Sequence, residues 1–288
     1  MTSPILAKTA TGGGRVYQHP VSGVEVPSVT TILNVMDKPA LPRWAALEVA
    51  NYAVEHREAW ESLPARDAVT LLKGAPWSKS KNAADAGTDA HAVMESLLKG
   101  EGMPPMTEGM FSATHGEAIT NVRQLLEALK PLPVAVEATA WSHTFGYAGT
   151  FDALVLLDGD LTLVDLKTSK DVYPDYALQL AAYVYADAIV FPDGTEIPMP
   201  SVDRCQIWHC PKDGTWSAVD IRVSTAEQDA FLAALDIFKW KRDHSKTVVN
   251  KPKKARTKLT NRRPRGAAGT TGKKETHMAN IASFLSGG

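Results

Sequence analysis

Two aspartates and a lysine, Asp152, Asp165 and Lys167, stand where apolar side chains are expected, in a run reading GTFDALVLLDGDLTLVDLKTSKDVYPDYALQLAAY over residues 149–183. Adjacent carboxylates repel, and a partly buried pair is costly unless a proton or a cation neutralises it. A divalent metal is the simplest remedy. Two carboxylates leave most ligand positions to water and phosphate oxygens, which suits Mg²⁺. With Lys167 beside them, the set offers a Lewis acid, a water nucleophile and a cation for developing negative charge, the parts that metal-assisted phosphodiester hydrolysis requires. The competing explanation is a salt-bridged strand end in which Lys167 only neutralises Asp165. An isolated Asp-x-Lys favours that explanation, because three-residue patterns recur by chance. A hairpin partner carrying its own inward Asp, followed by a particular helix, reverses the preference.

The elements around these residues are legible. Asp158-Gly159 is a two-residue hairpin turn signal that sets Leu157 opposite Asp160. The same register sets Asp152 opposite Asp165, with Cβ atoms roughly 5 Å apart. Alternation with period two puts Asp152 on one side with Leu154 and Leu156, and Asp165 and Lys167 on one side with Leu161 and Leu163. A helix is expected from near Pro174 to about Val190, with Leu178, Ala181, Ala182, Tyr185 and Ile189 as its apolar stripe. Gln179 and Tyr183, four apart on a different face, can hydrogen-bond a phosphate or water and orient Lys167. Upstream, residues 82–98 read as a helix whose stripe holds Gly87, His91, Met94 and Leu98. His91 is there either a hydrogen-bonded core residue or an additional metal ligand. Glu95 follows one turn on, to orient His91 or to face solvent. Glu137, on the strand reading VAVEATAW, is either a further metal or supporting carboxylate or the solvent-facing position of a two-faced strand.

The remainder sets the frame. The 288 residues are 44% hydrophobic and 22% charged, an ordinary globular composition. Residues 1–23 read as a loose start, Ser28 as an N-cap, and Trp44, Leu47 and Ala50 or Asn51 as one stripe of a helical flank. Trp77, with Lys73, Lys79 and Lys81 around it, reads as a loop suited to stacking on a frayed nucleic-acid end, or equally as a solvated turn. Cys205 and Cys210 lie five apart on one strand, with side chains on opposite faces, so neither a disulfide nor a four-thiolate site is expected. Two further strands surround a PKDG turn, and a helix from Thr225 to about Arg242 closes the globular part. Residues 244–275 hold eleven of the 31 Lys and Arg, including Lys253, Lys254, Arg262 and Arg263, against the single acid Glu275. That leaves 20 basic and 31 acidic residues before them. This tail is expected to be disordered and to seek a polyanion. Its GAAGTTGKK lacks the spacing and preceding strand of a nucleotide loop, and the terminal NIASFLSGG reads as a docking peptide or a floppy apolar end.

Taken together, His91 after Gly87-Thr88, Glu137, the GTFD of residues 149–152, Asp165-Leu166-Lys167 and Gln179-x-x-x-Tyr183 resemble the PD-(D/E)XK nuclease superfamily, most closely RecB-type nuclease domains and phage exonucleases. The resemblance is strong over about residues 82–190. It implies an α/β (α+β) fold with a central mixed β-sheet flanked by helices, in the order α-β-β-β-α-β. It further implies that His91, Asp152, Asp165 and the Leu166 carbonyl bind Mg²⁺ or Mn²⁺, that Lys167 positions or helps deprotonate the attacking water, and that Gln179 and Tyr183 support the active site. Relatives with an iron–sulfur cluster need four cysteines, which this chain lacks.

The expected organisation is an N-terminal helical extension over residues 1–81, a nuclease core over 82–243 and a basic tail over 244–288. The expected activity is a metal-dependent DNA exonuclease of phage replication or recombination. A catalytically inactive nucleic-acid-binding protein and a site-specific endonuclease are the alternatives. DNA is the expected partner, with a recombination or replication protein at the tail and a homo-oligomer as further candidates. No apolar leader or membrane span is read, so a cytoplasmic location is expected, in the host if the chain is phage-encoded.

Overall fold

The structure, a computed structural model, describes residues 6–10, 13–105 and 113–249; the side chains at 79–83 and 113–115 lie outside the description. Within the segment expected to be loose, the described residues form strands. β1 (Ala7–Thr9), β2 (Arg15–Gln18) and β3 (Glu25–Pro27) form a small antiparallel sheet. The physical reason is burial: Leu6, Tyr17 and Val26 pack on Trp141, Ala148 and Val190 of the larger sheet, enough apolar surface to offset the ordering of a short segment.

α1 (Val29–Leu33) follows, capped by the Ser28 hydroxyl, which accepts the Thr31 amide at 3.0 Å. α2 (Ala40–Glu55) carries Pro42 in its first turn, where the missing N–H costs nothing. It buries no residue fully, so the stripe of Trp44 and Leu47 does not become core. α3 (Arg57–Trp60) leads into α4 (Ala65–Leu98), 34 residues that run without a break across positions 81 and 82. The loop expected around Trp77 is therefore helical, with Pro76 inside the helix. Helix formers on both sides, and packing against α2 and α5 (Ala113–Leu129), outweigh the local penalty of that proline.

The centre is built by β4 (Leu132–Ser142), β5 (Tyr147–Leu157) and β6 (Asp160–Lys167), then α6 (Tyr176–Val184), β7 (Ala188–Val190), β8 (Glu196–Pro198), β9 (Arg204–His209), β10 (Ser217–Asp220) and α7 (Thr225–Asp243). The seven-stranded sheet has the order β10-β9-β6-β5-β4-β7-β8, mixed because β6 and β9 pair parallel and all other neighbours antiparallel. Helix α6 is shorter than expected, and Ile189 lies in β7 opposite Ala140. Asp187 ends the helical run. Its carboxylate accepts the Thr144 amide at 2.9 Å and the Ser142 hydroxyl at 3.1 Å, pinning the chain to the β4–β5 turn so that Ile189 and Val190 extend the sheet.

One face of the sheet packs Leu154, Leu163 and Ile207 against Val29, Ile32, Leu180, Phe231 and Leu235 of α1, α6 and α7. The other packs Val155, Val164, Leu166 and Trp208 against Val93, Met94, Val122 and Leu125 of α4 and α5. The result is a mixed sheet between two helical layers, which is why its strands read as nearly continuous apolar runs. Cys205 joins the first layer and Cys210 the second, and burial pushes both thiols up to about 12. Among the described residues, no helix is long and apolar enough to cross a membrane.

Candidate active site

The hairpin register matches its turn. Asp158 and Gly159 both take positive φ, 53° and 96°, as a primed two-residue turn demands, and Leu157 pairs with Asp160. The ladder continues to Ala153 opposite Val164 and ends one step before Asp152 and Asp165. At that step the alternation slips. Phe151 and Leu154, an odd distance apart, share one core layer, while Ala153 joins the other. The matching position on β4 is Glu137, whose φ of 51° is unusual for any residue but glycine, and the 137/152 pair is missing from the ladder. Asp152 therefore does not continue the face of Leu154 and Leu156. The irregularity turns it toward α4 and toward the backbone of β6.

There His91 Nε2 lies 3.1 Å from Asp152 Oδ2, and the same oxygen accepts the Leu166 amide at 2.6 Å. In an extended strand the carbonyl of a residue leaves on the same edge as its amide, so the Leu166 carbonyl belongs to this edge too. Asp165, 2% exposed, accepts the Gln179 amide on Oδ1 at 2.8 Å and has the Lys167 ammonium against Oδ2 as an ion pair. Gln179 ties the group together: its oxygen accepts Lys167 Nζ at 3.3 Å, and its amide also reaches the Tyr183 hydroxyl at 3.0 Å. Tyr183 can come this close because residue 149 is glycine; a Cβ there would meet Tyr183 Cε1 at 2.7 Å and Val29 Cγ2 at 3.0 Å. All of these side chains line one cleft of about 260 Å³, together with Arg15, Thr30, Glu95 and Glu137.

The buried ionisable groups of the cleft shift one another strongly. Burial pushes the Asp165 carboxyl up and the Asp152 charge adds to that, against the pull of Lys167 and, more weakly, His91. Asp152 is held below the usual range: burial opposes ionisation, but His91, Lys167 and the Leu166 amide outweigh it. Glu137 is raised to about 7 by burial, then by Asp152 and Glu95. His91 is raised to about 9: burial opposes its charge, but Asp152 and the Gly87 carbonyl prevail. Lys167 is likewise raised by Asp165 and Asp152 against burial, so it is a cation at neutral pH.

The donor set fits a divalent cation. Asp165 Oδ2 is buried against the Lys167 ammonium, and Asp152, Glu137 and His91 line the same cleft, a set of carboxylate oxygens and one imidazole that suits a divalent ion. His91 Nδ1 lies 2.7 Å from the Gly87 carbonyl, so that nitrogen carries a proton and leaves Nε2 for a ligand bond once its own proton has gone. A second histidine cluster fails the same test. His19 Nε2 and His143 Nε2 each lie 2.8 Å from one oxygen of Glu196. His19 Nδ1, however, faces the amides of Val21 and Ser22 at 3.3 Å, so it accepts and the proton sits on Nε2. That cluster is complete as a hydrogen-bonded network linking β2, β4 and β8.

The fold thus brings together His91, Glu137, Asp152, Asp165, Lys167, Gln179 and Tyr183 of the residues singled out in the sequence. It does not bring Trp77, which stands 67% exposed on α4 and does not line the cleft. The side chains of Lys79 and Lys81, and all of Lys253, Lys254, Arg262 and Arg263, lie outside the described residues. Arg15, Tyr17 and Thr30 were missed. The Tyr17 hydroxyl accepts the Thr150 amide at 3.0 Å, which anchors β2 at the cleft mouth. The alternation of RVYQ between glycines was the available signal for that strand.

No protein-family model matches the chain, and no curated protein is detectably similar to it. Among solved structures the chain is similar to an alkaline exonuclease, LHK-Exo, from Laribacter hongkongensis. The identity is 16%, over 56% of this chain and 92% of that one, with a TM-score of 0.30. LHK-Exo in complex with dAMP gives 14% identity over 54% and 85%, with a TM-score of 0.32.

Proposed function

We propose that the chain is a metal-dependent deoxyribonuclease that hydrolyses phosphodiester bonds at DNA ends. The observation that carries this is the juxtaposition of two buried carboxylates, Asp152 and Asp165, in one cleft, with His91 against the first and Lys167 against the second. Mg²⁺ or Mn²⁺, held by Asp152, Asp165, His91 and the Leu166 carbonyl, with Glu137 as a further ligand, would supply Lewis acidity and a lowered pKa for water. The chain's own residues do the rest. Asp152 and Asp165 fix the electrostatic centre. Lys167, cationic at neutral pH, stabilises the negative charge that grows on the phosphate oxygens rather than taking a proton from water. Gln179 holds Lys167 and Asp165 in one geometry, and Tyr183 holds Gln179. Arg15 and Thr30, at the cleft wall, are placed to meet phosphate oxygens.

The action at ends, and the role in replication or recombination, follow from the resemblance of the motif set to RecB-type and phage exonucleases. The basic segment from residue 244 onward, Lys253, Lys254, Arg262 and Arg263 included, would hold DNA or a partner protein.

End-labelled linear DNA and closed circular DNA, each incubated with Mg²⁺ or with EDTA, test the proposal. Loss of label from linear DNA with Mg²⁺ alone is expected. Survival of linear DNA, or equal cleavage in EDTA, refutes it; discrete internal fragments from circular DNA move the reading to an endonuclease.

A further inference from the structure

Beside the cleft, and sharing Thr30 and Gln179 with it, a second hollow of about 510 Å³ opens between the α1–α2 connection and the start of α6. Its walls are mainly apolar and aromatic, with Leu33, Met36, Leu41, Tyr173 and Tyr176. Tyr173 is 46% exposed and Leu41 52%, apolar surface that the cleft chemistry does not use. Tyr176, in the wall of the second hollow, reaches Lys167 of the cleft. Lys167 Nζ lies 4.9 Å from the centre of its ring, and Tyr173 meets the same ring edge-on at 5.8 Å. The aromatic wall thus begins at the lysine that faces the reacting phosphate and runs away from it.

The charge of the lining narrows the ligand. Asp37 and Asp175 outnumber Lys38, which disfavours a phosphodiester and leaves a neutral group. A flat, apolar group with a hydrogen-bonding edge, tethered to the phosphate next door, is a nucleobase. The Asn34 amide in the same lining offers that edge both a donor and an acceptor.

We propose that this hollow receives one unstacked nucleobase of the strand being cut, so that the protein engages single-stranded or frayed DNA in preference to closed duplex. The inference rests on the nuclease reading of the neighbouring cleft. Stacking on Tyr173 supplies affinity without base identity, because every base presents a π face.

The test is a cycle between protein and DNA. Single-stranded oligonucleotides with one abasic nucleotide, scanned through the positions nearest the end, are cut by the full chain and by its Tyr173→Ala variant, and kcat/KM is compared. With the unaltered protein, one position should lose roughly 5- to 150-fold when its base is missing. Tyr173→Ala should lose a similar factor on intact DNA and become insensitive to the abasic site at that position, whereas Tyr173→Phe should retain the base dependence. Thermal unfolding of each variant controls for folding, which a half-exposed position tolerates. If the unaltered protein cuts DNA without base dependence at any position, or if the Tyr173→Ala and abasic losses simply add, the hollow is not a base site although the nuclease reading stands. If the unaltered protein cuts no DNA, both fall.

Discussion

His91 and Asp152 meet at 3.1 Å, Nε2 to Oδ2, across the gap between α4 and β5. In the metal-free chain this contact is an ion pair, because Asp152 raises His91 to about 9 while His91 helps to hold Asp152 low. A divalent cation at the same point would take over the proton's place on Nε2.

That exchange makes metal binding a proton-releasing event near neutral pH. Between pH 7 and 8, adding Mn²⁺ to the metal-free protein in weak buffer should release close to one proton per chain. His91→Gln should abolish most of that release. A release unaffected by the substitution would remove His91 from the ligand set.

Stability without metal should fall as pH rises. His91 is raised in the folded state from 6.5 to about 9, so its contribution is complete below pH 6.5 and lost by pH 9. Glu137 is raised from 4.5 to about 7, so it begins to oppose folding above pH 4.5 and does so fully above 7. In EDTA, the melting temperature should therefore decline from pH 4.5 to 9. Glu137→Gln should flatten the lower half of that decline and His91→Gln the upper half. A flat wild-type profile counts against both assignments.

Asp165→Asn removes the most buried charge of the cleft. Cleavage should drop by at least about 10²-fold, while thermal stability in EDTA should hold or rise because a repulsion is gone. The rise in melting temperature on adding Mg²⁺ should shrink with it. A variant that keeps full activity would move the site elsewhere.

Gln179 acts through its neighbours, so its loss should appear in kcat. With Asp165 and Lys167 both on its amide, Gln179→Leu should lower kcat roughly 10- to 100-fold with KM little changed, by freeing Lys167 from its alignment. Gly149→Ala reaches the same machinery by packing. The added methyl collides with Tyr183 and Val29, and should destabilise the protein by about 1–3 kcal/mol and reduce activity on shifting Tyr183. Equal KM and kcat losses in Gln179→Leu would argue for a role in holding DNA instead.

The tail should act through salt. Removing residues 250–288 takes away ten Lys and Arg. DNA binding should weaken at low ionic strength, and the slope of log affinity against log salt should fall by about 0.9 for each duplex phosphate that the tail had neutralised. Turnover at saturating DNA should persist. An unchanged slope would show that the tail serves another partner.

Several features were determined by sequence alone. Asp158-Gly159 dictated the turn, because its positive φ values are cheap there, and the turn dictated the β5–β6 register up to Ala153 and Val164. The mixed sheet between helices was implied by the resemblance of the motif set, and four-residue spacing dictated the pairing of Gln179 with Tyr183. Local patterns could not reveal what depends on distant neighbours. Tyr17 orders the N-terminal strands only because Trp141 lies beneath them, Pro76 stays helical within a helix that packs on α2 and α5, and Ile189 leaves its helix only because Asp187 is tied to Thr144. The slip at Glu137 and Asp152 is of the same kind. Period-two alternation assumes an unbroken strand, and only the tertiary fold, with His91 and the Leu166 amide on one side, repays the strain of breaking it and turns Asp152 toward them.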